Sequence, residues 1–126
     1  MTSGRDLEGV RVLVAEDEWF VAMDVASCLR DLSAEVLGPV PTARETIALA
    51  SDGMPPDLAL LDVSLRDGDV FAAADALRAR GIPIIFATGL TPGTLPPRFA
   101  DATCWEKPFS AEALVRAVVL LLRLPP

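Results

Sequence analysis

Short apolar runs recur along this chain, and each is followed by a stretch whose apolar positions fall at helical spacing. Val10-Arg11-Val12-Leu13-Val14-Ala15 reads as a first strand. Trp19 to Leu32, with Val21, Val25, Cys28, Leu29 and Leu32 recurring along it, reads as the helix that follows. Glu35 to Val40 is a second strand, and Gly38-Pro39 inside it suits an edge position, because proline offers no ladder donor. Thr42-Ala43-Arg44-Glu45 has the form of a capping box, so a second helix starts there and stops before Gly53 and Pro55-Pro56. Asp57 to Leu61 is a third strand. A loop from Val63 to Gly68 leads to a third helix over Val70 to Arg80, ended by Gly81. Ile82 to Ala87 is a fourth strand, Ala102 to Trp105 a short fifth, and a last helix runs from an N-cap at Ser110 to about Arg123.

Strands that alternate with helices form a parallel sheet covered on both faces. The expected architecture is a doubly wound, flavodoxin-like (βα)5 sheet with strand order 2-1-3-4-5. The rhythm fails once. Between Thr88 and the fifth strand, where a fourth helix belongs, Gly93 and Pro96-Pro97 oppose one. An interior proline costs a helix about 3 kcal/mol or more, and glycine about 1 kcal/mol relative to alanine. The fourth helix is expected to be short, frayed, disordered or missing.

The 126 residues suit a single domain over residues 1–126, with residues 1–8 and 124–126 as loose ends. Eleven basic against 18 acidic residues leave a net charge of −7, which argues against a nucleic-acid partner. There is no histidine, so imidazole catalysis and histidine metal sites are excluded. Cys28 and Cys104 read as reduced core residues. No leader is evident, and the longest apolar runs, such as Val118 to Leu122, fall far short of the about 20 residues that cross a bilayer. A soluble, cytoplasmic protein without membrane contact is expected.

The chemistry sits at the ends of the strands. The first runs into Glu16-Asp17-Glu18, the third into Asp62, the fourth into Thr88, and the fifth is followed by Glu106-Lys107-Pro108. Singly, each has an ordinary explanation: acids favour a helix start, and an aspartate can cap a loop. Together they place acids, a hydroxyl and an ammonium along the carboxyl edge of one sheet, where open α/β folds build their sites. With the first and third strands adjacent, Glu16, Asp17 and Asp62 converge and repel, which calls for a cation; hard oxygen donors suit Mg²⁺. A carboxylate beside such an ion can attack phosphorus. Lys107 supplies a second positive group, and Thr88 a hydrogen-bond donor.

These motifs, Val12-Leu13-Val14-Ala15-Glu16-Asp17-Glu18, Leu60-Leu61-Asp62 with Gly68, Ala87-Thr88-Gly89 and Lys107-Pro108-Phe109, resemble those of response-regulator receiver domains of two-component signalling over essentially the whole length. The resemblance implies that Asp62 accepts phosphate from a histidine kinase or phosphotransfer protein. It implies that Glu16, Asp17, Asp62 and the backbone carbonyl of Ser64 hold Mg²⁺. It implies further that Lys107 pairs with the phosphoryl group, that Lys107-Pro108 is a cis peptide, and that Thr88 moves on activation. Pro83 to Leu90 is also similar to the FATGUY signature of mostly stand-alone receivers, failing at its last position, where Thr91 replaces tyrosine.

Receivers of this family mostly carry Tyr or Phe three residues before the lysine, where this chain has Cys104. Switching is therefore expected to use order and disorder of the proline-rich fourth segment, with Trp105 on the opposite sheet face. In the last helix, Leu114, Ala117, Val118 and Leu121 are expected to face the sheet and Val115, Val119 and Leu122 to be exposed, a patch suited to an output partner or a homodimer. The function expected is a phosphorylation switch without an output domain, working through protein contact or as a phosphate sink, and not an enzyme beyond its own phosphorylation and dephosphorylation. A metal-dependent phosphatase is disfavoured because Ser64 stands where haloacid-dehalogenase enzymes place a second aspartate. A partner-binding pseudo-receiver is disfavoured by the intact acids, Thr88 and Lys107. A nucleotide-binding Rossmann site lacks its glycine-rich loop.

Overall fold

In a computed structural model, residues 4–89 and 95–123 are described. Five parallel strands form one sheet: β1 (Arg11–Ala15), β2 (Glu35–Val40), β3 (Leu58–Asp62), β6 (Ile84–Thr88) and β7 (Thr103–Glu106), in the order β2-β1-β3-β6-β7. This is the expected 2-1-3-4-5 order. The numbering shifts because the loop after Asp62 holds a two-rung antiparallel hairpin, β4 (Ser64–Leu65) and β5 (Gly68–Asp69). Nothing in the apolar pattern signals strands that short.

Helices α1 (Trp19–Asp31) and α4 (Ala111–Arg123) cover one face, and α2 (Ala43–Ala50) and α3 (Phe71–Ala79) the other. Strand β3 is buried along its whole length because both its faces are covered. β2 is an edge strand, and its register slips between Leu13 and Ala15 of β1. Gly38 sits there at φ +98, and a Cβ would meet the Val14 carbonyl oxygen at 2.8 Å, so only glycine fits the bulge. α2 begins as the capping pattern predicts: the Thr42 hydroxyl accepts the Glu45 N–H at 3.1 Å. Asp67, in the turn of the small hairpin, adds a carboxylate that accepts the Ala43 and Arg44 N–H groups at 2.5 and 3.2 Å.

Between β6 and β7 the described residues form one 3-10 turn, Pro97–Phe99, and no α-helix; residues 90–94 of the expected fourth helix lie outside the described residues. Phe99 is fully buried and fills the core beside Phe71 and Phe86, with ring centroids 5.7 and 5.3 Å away. Arg78 and Arg98 lie 4.7 and 4.9 Å from its centroid, and Arg98 also pairs with Asp75 on α3 at 2.9 Å.

Three expectations are corrected. Residues 4–8 are not loose: Leu7 is 1% exposed, its N–H bonds to the Leu32 carbonyl at 2.8 Å, and Asp6 pairs with Arg123. Val115 and Val119 are buried, because α4 packs on α1 as well as on the sheet and so needs two apolar stripes; Leu122 is half-buried. The patch that motivated a homodimer through this helix is thus spent inside the chain. Cys104 is exposed, since β7 is the other edge strand and no helix among the described residues covers that face; Cys28 is half-buried. Trp105 does take the opposite face, edge-on to Phe109 at 6.3 Å. Among the described residues no helix is long and apolar enough to cross a membrane.

Candidate functional site

Register sets the site. β1 and β3 pair in parallel with Ala15 opposite Leu61, so the residues just after each leave the sheet side by side. Asp62 pairs with Ala87 and Thr88 with Glu106, which brings the ends of β6 and β7 to the same edge. The Lys107 N–H donates to the Thr88 carbonyl at 2.8 Å, and the Lys107-Pro108 peptide is cis, as the family resemblance implies.

Carboxylate oxygens of Glu16, Asp17, Glu18 and Asp62 all lie within 4.8 Å of one another. Glu16 and Asp62 are buried, Asp17 is half-buried and Glu18 exposed. The Lys107 ammonium stands among them, 2.8 Å from Glu16, 2.9 Å from Glu18 and 2.9 Å from Asp62. The other oxygen of Asp62 accepts the Ser64 N–H at 3.1 Å, and the second oxygen of Glu16 accepts the Glu18 N–H at 2.9 Å. Thr88 is buried one residue beyond the rung that joins β6 to Asp62.

Burial pushes the Glu16 carboxyl up to about 7, against the pull of the Lys107 ammonium and the Glu18 N–H, while the nearby Asp62 charge pushes the same way as burial. Burial also works against the charge on Lys107, but its bonds to Glu16, Glu18 and Asp62 outweigh that and hold its pKa above the ordinary lysine value. The pocket therefore concentrates negative charge around one fixed cation. Its donor set is all hard oxygen, with more carboxylates than a single ammonium neutralises, and that fits a small divalent ion such as Mg²⁺.

The sequence placed Glu16, Asp17, Asp62, Thr88 and Lys107 at one edge, and all of them are there. Ser64 also reaches Asp62, through its N–H. Glu18, read only as part of the acidic run, turns out to contact Lys107 directly; its place beside Glu16-Asp17 was the available signal. Beside the pocket, Glu18, Val21, Lys107, Pro108 and Phe109 line an open crevice of about 250 Å³. Trp19 and Phe20, at the start of α1, stand 65% and 81% exposed in edge-on contact.

No family model matches the chain. The solution structure of SdrG from Sphingomonas melonis Fr1 is 36% identical, with alignment over 93% of this chain and 98% of that one and a TM-score of 0.75. The crystal structure of a response regulator receiver protein from Sinorhizobium medicae is 27% identical over 91% of this chain and 95% of that one, with a TM-score of 0.77. The transcriptional regulatory protein PdtaR of Mycobacterium tuberculosis is 36% identical over 115 residues, 87% of this chain and 55% of its own. The chain thus spans about half the length of that curated relative.

Proposed function

This chain belongs to the response-regulator receiver domains, and on that premise we propose that it is a switch whose Asp62 accepts a phosphoryl group from a histidine kinase or phosphotransfer protein. The observation that carries this is the buried Asp62 carboxylate held 2.9 Å from the Lys107 ammonium among further acids. A carboxylate oxygen of Asp62 forms a bond to phosphorus as the phosphorus–nitrogen bond of a donor phosphohistidine breaks, and the leaving imidazole takes up a proton. Lys107 neutralises charge on the transferred group. Thr88, at the neighbouring strand end, hydrogen-bonds one of its oxygens and relays the event into the segment that follows.

Mg²⁺ would be held by Glu16, Asp17 and Asp62 with the Ser64 carbonyl, and when bound it supplies charge neutralisation for the transferred phosphoryl group. Output runs through a protein partner, or the chain drains phosphoryl groups as a sink, in the cytoplasm. The exposed Trp19–Phe20 pair beside the pocket offers a contact for a protein that must reach Asp62. Kinship with the FATGUY receivers rests on the run Pro83 to Leu90, with Phe86-Ala87-Thr88-Gly89-Leu90 matching and Thr91 in place of the final tyrosine.

The test is phosphotransfer from a small phosphodonor, with and without Mg²⁺, to the wild type and Asp62→Asn, read by intact mass. One phosphoryl group on the wild type in Mg²⁺, and none on the variant, is expected. Labelling that survives the substitution would move the acceptor to another residue. Labelling that ignores Mg²⁺ would remove the metal from the account.

A further inference from the structure

The Lys107 ammonium is crowded by acceptors: it hydrogen-bonds Glu18 and Asp62 and forms an ion pair with Glu16. An ammonium has three N–H donors and accepts nothing, and Nζ lies 2.8 Å from Glu16 Oε1, 2.9 Å from Glu18 Oε1 and 2.9 Å from Asp62 Oδ2. A phosphoryl oxygen arriving on Asp62 must compete with these three carboxylates for the Lys107 protons.

The three differ in what release costs. The Glu16 and Asp62 side chains are 5% and 7% exposed, and that of Glu18 is 60% exposed. A buried carboxylate that loses its cation keeps its desolvation penalty, whereas an exposed one regains water and loses little. Glu18 is also free of a capping duty. It is the N-cap of α1, a position where acceptor side chains ordinarily bond the first helical N–H groups. Its carboxylate makes no such bond and reaches instead to a lysine 89 residues away. Its own N–H is pinned to Glu16, which fixes the backbone from which it reaches.

We infer that Glu18 is a positioning residue of the phosphorylation site: it holds Lys107 in the resting pocket and gives up the Lys107 N–H that it accepts to the phosphoryl oxygen. The inference rests on Asp62 being the acceptor. It makes Glu18 a brake on acceptance alone, since after transfer the contact is already broken.

The experiment measures, for the full chain at saturating Mg²⁺, the rate of labelling by phosphoramidate and the lifetime of the phosphoryl group afterwards. Glu18→Gln removes the charge and keeps the reach; Glu18→Asp keeps the charge and shortens the reach. Both are expected to label about two- to fivefold faster than wild type, the range an exposed ion pair is worth, with an unchanged lifetime. Wild-type labelling rates in both variants would overturn the inference while leaving Asp62 as the acceptor. A fast Glu18→Gln beside a normal Glu18→Asp would also overturn it, in favour of charge acting without contact. A lifetime altered along with the rate would show that Glu18 still touches the phosphorylated site, contrary to the exchange. If the wild type takes no phosphoryl group while well folded, the acceptor reading fails and this inference goes with it.

Discussion

On one face of the sheet, two 13-residue helices, α1 and α4, close over Val12, Val14, Leu58, Leu60 and Ile85. On the other, α2 and α3 have eight and nine residues and meet the sheet largely through Ala50, Ala73, Ala74 and Leu77. The small side chains bring those helices close but supply less volume. Part of the remainder comes from outside these helices, from Val63, Leu65 and, largest of them, Phe99 on a 3-10 turn, flanked by two guanidinium groups. One face is closed by regular periodicity, and the other needs residues from outside its helices, with polar ties around the largest of them. The face with the irregular closure also takes in Leu95 and Phe99, so the residues that line it include some that follow the strand ending beside Asp62.

The largest expected effect tests the regular face. Val115 is 3% exposed between α4 and α1. Val115→Asp would leave an unpaired charge in that interface and should cost about 4 kcal/mol or more, a large share of the roughly 5–15 kcal/mol that stabilises a domain. Urea unfolding checks it. A change under 1 kcal/mol would mean that this stripe faces water after all. Phe99→Ala tests the other face and should cost about 3–5 kcal/mol, the range for removing a buried aromatic ring. If the irregular closure is peripheral, this variant will instead unfold at nearly the wild-type urea concentration.

The same contrast explains what could be read in advance. Periodicity located every strand of the main sheet, and strand-end chemistry located Glu16, Asp17, Asp62, Thr88 and Lys107, because register follows once β1 and β3 are neighbours. Pairing between helices was not legible. A single helix shows how many apolar positions it has, not which neighbour takes them, so Val115 and Val119 read as exposed until α1 lay beside them. Cys104 failed for the converse reason: its segment looks apolar, but its strand is at an edge. Leu7 was hidden in a polar stretch, with nothing periodic around it. Glu18 looked like one acid in a run because its partner, Lys107, lies in a distant segment.

A smaller effect probes the polar ties. Thr42→Ala removes the hydroxyl that accepts the Glu45 N–H at the start of α2 and should cost about 1 kcal/mol. Asp67 still holds the Ala43 and Arg44 N–H groups, so the helix should persist. Full loss of α2 by hydrogen exchange in this variant would show that Asp67 contributes nothing there.

The subtlest prediction concerns acid. Bonds from the Ala43 and Arg44 N–H groups hold the Asp67 carboxyl below its ordinary value, and the bidentate bond from Arg98 does the same for Asp75. Both ties belong to the α2/α3 face. A carboxyl whose pKa is depressed on folding binds its proton more weakly in the native state than in the unfolded chain. Its stabilisation is therefore fully present above the ordinary aspartate value of 3.8 and is lost as pH falls through the depressed native one. Wild type should lose stability in that window. The double variant Asp67→Asn, Asp75→Asn should start lower at neutral pH and lose less on acidification, so that the two curves of urea midpoint against pH converge below pH 3.8. Every other titrating group is common to both proteins, and the difference between the curves isolates these two carboxyls. Parallel curves down to the acid limit would mean that neither tie depends on its charge, and that the irregular face is held by Phe99 and its neighbours alone.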